Sequence, residues 1–187
     1  MELIDNINRT LKEDFIKEIG KGSKLSIAAS CFSIYAFEEL KSQLKNILEL
    51  RFIFTSPTFV TEKANKQKRE FYIPRLNRER SLYGSEFEIK LRNELSQKAI
   101  AKECAEWIRK IAGFKSNRTG ENMPGFATLD DKVYAPIIGF TSVDLGRERG
   151  NNAYTMINKF EAPFSQSYLD LFDLVWNVTS KMLVVSD

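Results

Sequence analysis

The side chains able to do chemistry in this 187-residue chain are unevenly spread. Residues 61–80, TEKANKQKREFYIPRLNRER, hold seven basic residues (Lys63, Lys66, Lys68, Arg69, Arg75, Arg78, Arg80) against three acidic ones (Glu62, Glu70, Glu79). This net +4 leaves about −1 for the other residues of a chain whose net charge is +3, so the basic character is concentrated here. Phe71 and Tyr72 lie in its midst. Cations interleaved with aromatic rings are what single-stranded nucleic acid uses for backbone attraction and base stacking. Lys63, Lys66, Lys68, Arg69, Phe71, Tyr72 and Arg75 are therefore the candidate nucleic-acid-binding residues. A solvated loop anchored to the core by an aromatic pair has the same composition.

Asp130, Asp131 and Asp144 offer the hard oxygen ligands that Mg²⁺ prefers. Turn formation explains the first two equally well. Glu88 and Lys90 form a Glu-x-Lys, the tail of one magnesium-nuclease signature and a common chance triplet on charged helices. The chain contains no histidine, which excludes Ser-His-Asp and Cys-His nucleophile pairs and any His-ligated zinc. Cys31 and Cys104, far apart and each in apolar surroundings, read as reduced core cysteines. No Walker-type GxxxxGK[ST] is present, and no cofactor is expected.

These residues need a framework. With 43% hydrophobic and 28% charged residues the composition is that of a soluble globular protein, large enough for one α/β domain over 1–187. No run approaches the roughly 20 apolar residues of a membrane span. The N-terminus is amphipathic, unlike a signal peptide, so the cytoplasm is the expected location. Leu3, Ile4, Ile7, Leu11, Phe15 and Ile19 recur at helical spacing up to Gly20. Residues 24–32 and 50–55 read as buried strands because their apolar residues are contiguous, with an amphipathic helix over 34–48 between them. A long helix is predicted over 86–110, ended by Gly113. A hairpin follows over 126–129 and 133–138, with Pro136 placing its second strand at an edge or a bulge. A strand over 154–160 and a helix capped by Ser165 complete the chain. The predicted fold is a mainly parallel or mixed sheet flanked by helices.

The hairpin and the loop after it carry a resemblance. Enzymes of the phospholipase D superfamily have His-x-Lys-x4-Asp, then Gly-Ser-x-Asn. On this chain the frame runs through Pro124, Phe126 and Asp131, then Gly139, Phe140 and Ser142, so only the aspartate and the glycine match. KLSIAASCFSIYAFEEL is similar to that superfamily's first strand and helix. FSIYAFEEL, LRFIFTSPTF, GENMPGFATLDD, GFTSVDLG and RGNNAYTMINKFEAP together resemble the degenerate phospholipase D-like domain preceding Swi/Snf-type helicase motors in some bacterial proteins.

The resemblance implies one phospholipase D-like repeat, the N-terminal domain of a longer ATP-dependent helicase or translocase. The nucleophilic histidine and the phosphate-gripping lysine are replaced, so no covalent phosphohistidine can form and the domain is expected to be non-catalytic. It also implies a remnant phosphate pocket of Asp131, Thr141, Ser142, Arg147, Arg149, Asn151 and Asn152. Turn caps and surface ion pairs account for the same residues. The expected partner is DNA, with the domain's own motor or a second copy as further partners. The alternatives are a protein-docking or dimerisation domain of the same enzyme and a divalent-metal-dependent nuclease.

Overall fold

The computed structural model describes residues 1–55, 94–148 and 155–178. In chain order its elements are β1 (Glu2–Ile4), α1 (Leu11–Glu18), β2 (Lys24–Ala29), α2 (Ile34–Leu44), β3 (Glu49–Phe54), α3 (Glu94–Ile111), β4 (Ala112–Ser116), β5 (Phe126–Leu129), β6 (Lys132–Ala135), β7 (Ile157–Phe160) and α4 (Gln166–Val178). Among the described residues the strands form one mixed sheet in the order β1-β7-β6-β5-β2-β3-β4. The fold is α/β. Parallel pairing is confined to β2 with β3 and β3 with β4, where helices return the chain. The remaining pairs are antiparallel.

The side-chain alternation of each strand sorts the core into two layers. Leu25, Ile27, Leu50, Phe52, Phe114, Ala127 and Ile157 face Leu11 and Phe15 of α1, the apolar side of α2, and Cys104, Trp107 and Ile108 of α3. Ala28, Ile53, Phe126, Val133 and Ala135 face Phe172 and Val175 of α4 on the opposite side. The thick layer is rich in phenylalanine. Phe32 meets Phe52 and Phe114 edge-on at 5.6 and 5.4 Å, a geometry the ring quadrupoles favour.

Where α1 crosses β6 and β7 the core is ionic. Lys159, 4% exposed, reaches Asp14 at 3.0 Å and Glu18 at 2.8 Å. The Tyr134 hydroxyl donates to Asp14 at 2.8 Å, Arg9 pairs with Asp14 and with Glu2, and Lys132 reaches Glu18 at 2.6 Å. Burial opposes the charge on Asp14, but Arg9, Lys159 and Tyr134 outweigh it and hold the carboxyl below its usual range. Burial likewise opposes the Lys159 ammonium, and Glu18 and Asp14 raise it above the ordinary lysine value.

Several elements differ from expectation. Leu3 and Ile4 belong to β1, paired with β7, and not to the first helix. The Asp5 carboxylate accepts the N–H groups of Ile7, Asn8 and Arg9, which turns the chain before α1 starts. Thr10 and Glu13 then form a reciprocal capping box. β2 stops at Ala29, and beyond it Phe32 makes only a bridge to Phe140. Pro136 ends β6 at Ala135 without placing it at an edge, since β6 lies between β5 and β7. Gly113 does not terminate α3 as a loop residue: α3 passes directly into β4, and Gly113 is its second residue.

Candidate nucleic-acid interface

The parallel strands end at Ala29, Phe54 and Ser116, and this carboxyl-terminal edge is where open α/β sheets bind ligands. The loop after Gly139 is fastened there. The Ser30 N–H donates to the Ile138 carbonyl at 2.9 Å, Phe140 N–H to Cys31 at 2.9 Å, and Ser33 N–H to Phe140 at 2.9 Å. α2 starts from the same edge, with Ser33 accepting the Tyr35 N–H as its cap.

Thr141, Ser142 and Arg147 are brought together here, but their polar groups are used internally. Thr141 Oγ1 accepts the Asp144 N–H at 3.1 Å and donates to the Asp144 carboxylate at 2.5 Å. Gly139 N–H donates to the other carboxylate oxygen at 3.3 Å. Burial pushes the Asp144 carboxyl up, against the pull of Thr141 and Gly139. Ser142, fully buried, donates to Glu148 at 3.2 Å. Arg147 lies 3.5 Å from Glu39, whose other oxygen is 2.5 Å from Lys12. The arrangement closes a turn and pairs its charges. The sequence reading overlooked Glu39 and Lys12, which no local spacing connects to Arg147, whereas Thr141-x-x-Asp144 is a legible capping pattern.

Asp131 is not part of this group. It occupies the two-residue turn between β5 and β6, since Leu129 pairs with Lys132. Leu129 also pairs with Leu25, at the start of β2. Leu25 to Ser30 spans roughly 16 Å at the rise of a strand, which separates the turn from the Gly139 loop. The seven-residue pocket is corrected to that extent. The three aspartates do not share a metal site either, because Asp130 and Asp131 lie at the end opposite Asp144, and Asp130 accepts the Lys24 N–H at 2.8 Å. Among the described residues no group of three Cys, Asp or Glu side chains is placed to hold a metal ion.

Lys63, Lys66, Lys68, Arg69, Phe71, Tyr72 and Arg75 lie outside the described residues, as do Glu88, Lys90, Arg149, Asn151 and Asn152. The points where the basic stretch joins the framework are described. β3 ends at Phe54, on the carboxyl-terminal edge. The chain is next described at Glu94, where α3 begins. The Trp107 indole N–H donates to the Leu44 carbonyl at 3.0 Å, and Glu103 bridges Lys41 and Lys45, so α3 runs parallel to α2. Its first residue therefore returns to the edge from which α2 starts. Comparison with known proteins finds no matching family model and no matching curated relative.

Proposed function

We propose that the chain is a non-catalytic nucleic-acid-binding domain with DNA as its partner, acting as an accessory to an ATP-dependent helicase or translocase motor. The observation carrying this reading is the separation of charge from framework. Of the 28 Lys and Arg residues, 11 lie outside the described residues, leaving 17; of the 25 Asp and Glu, 6 lie outside, leaving 19. The described framework is thus slightly acidic, and many of its cations, such as Lys159, Lys132, Lys12 and Lys41, are already paired. The excess positive charge belongs to 56–93, tied at both ends to the edge where α/β sheets take their ligands.

DNA binding followed by fluorescence anisotropy over a salt series tests it. Each phosphate neutralised releases counterions, so affinity falls steeply with salt. Replacing Lys66, Lys68 and Arg69 together by alanine flattens the log–log slope by roughly 2 to 3 units. Undetectable binding at low salt, or a slope unmoved by the triple change, overturns the proposal.

A further inference from the structure

Where the chain leaves β3 toward the basic stretch, one buried side chain holds the exit. Thr55 is the last described residue before residues 56–93. Its N–H donates to the Ala29 carbonyl at 3.0 Å, which ties it to the end of β2. Its carbonyl accepts from Asn117 Nδ2 at 3.3 Å, one residue beyond β4, and the Asn117 N–H donates to the Phe54 carbonyl at 2.9 Å. Thr55 is thus fixed from both of the strands that flank β3.

Asn117 is 4% exposed and uses its whole amide. Nδ2 also donates to the Glu121 carbonyl at 2.8 Å, while Oδ1 accepts the Thr119 N–H at 3.1 Å and the Thr119 hydroxyl at 2.7 Å. An amide is the side-chain group that offers two donors on one side and an acceptor on the other. The contacts with Thr119 and Glu121 suffice to close the local turn. The bond to Thr55 reaches 62 positions back along the chain and is not needed for that. Ser116 gives the contrast: it is 3% exposed, and its hydroxyl has no hydrogen-bond partner among the described residues.

We infer that Asn117 is a positioning residue for the nucleic-acid interface, fixing the point and direction from which residues 56–93 leave the sheet and so where their cations stand relative to the carboxyl-terminal edge. The inference rests on the nucleic-acid reading above. Holding the exit in place before DNA arrives removes part of the ordering that association otherwise costs. The Asn117 amide, buried and fully used, acts through Thr55 and does not itself meet a phosphate.

The test is DNA binding by fluorescence anisotropy over a salt series, on the whole chain carrying Asn117→Ala, Thr119→Val or, as a control, Ser116→Ala. Binding is read well below each variant's melting temperature, so that unfolding does not enter. Asn117→Ala weakens binding about tenfold. The log–log slope stays at the wild-type value, because the same cations neutralise the same number of phosphates. Thr119→Val, at an exposed residue, removes only the hydroxyl that orients the amide and weakens binding about threefold at the same slope. Ser116→Ala changes neither. A role confined to folding lowers the melting temperature and leaves the affinity of the folded protein untouched, and that result overturns the inference. So does a flattened slope, which would make Asn117 a phosphate contact. Should Asn117→Ala fail to fold, wild-type affinity in Thr119→Val overturns it equally. Absence of binding by the wild-type chain is a different result: it overturns the nucleic-acid reading, and the inference with it.

Discussion

Glycine 125 illustrates how little room single residues have in this molecule. A Cβ built there would lie 1.9 Å from the Ile137 carbonyl oxygen, and that carbonyl belongs to backbone that cannot swing aside. The same two residues are joined by the Ile137 N–H donating to the Gly125 carbonyl at 2.9 Å. Gly125→Ala should therefore cost about 3 kcal/mol or more, measured by denaturant unfolding with an unchanged slope. Close approach of this kind leaves no mark in sequence beyond the glycine itself. The candidate site was legible to a similar degree. Thr141, Ser142 and Arg147 stand close in sequence and in space, but composition does not reveal that both hydroxyls turn inward onto carboxylates. Asp131 was grouped with them through a motif frame, and only the register of β5 with β2 separates it.

At the level of elements, contiguous apolar runs in 24–32 and 50–55 identified the parallel pair β2 and β3, though β2 stops at Ala29, because strands buried on both faces have no polar side to show. β1 was not legible: three residues cannot establish a period of two, and Leu3, Ile4, Ile7 and Leu11 imitate a helix. Antiparallel pairing of β5 on β2 joins residues a hundred positions apart, beyond any local signal. α4 is legible by contrast, since the three- and four-residue spacing of Phe172, Val175 and Trp176 marks the face that packs on the sheet. Phe172→Ala should cost about 3 to 5 kcal/mol, as for other buried phenylalanines. Leu174→Ala, at an exposed position of the same helix, should stay within about 0.5 kcal/mol. Equal costs in thermal or chemical unfolding would show the helix seated differently.

Across the whole molecule the ionic layer beneath α1 sets how stability responds to pH. Glu18, held down by Lys132 and Lys159, and Asp14 both have lowered carboxyl values, so their stabilisation is present above the ordinary carboxylate range and is lost as pH falls below about 4. Lys159 and Lys132 are raised, so theirs is present below the ordinary lysine value and is lost as pH climbs past about 10.5. With no histidine to titrate between, the melting temperature should be flat from about pH 5.5 to 9 and drop on both sides. A step near pH 6.5 in a thermal series would contradict this.

The pairing of β1 with β7 and of Glu18 with Lys159 also constrains how the protein is made. Synthesis runs from the amino terminus, so β1 and the two carboxylates of α1 emerge long before their strand partner and buried cation exist. The α1 capping box can form at once, because Thr10 and Glu13 are neighbours, whereas the ion layer closes only after β7 has been made. α1 is thus made long before the strand that locks it into place, and in the meantime its buried face remains in water.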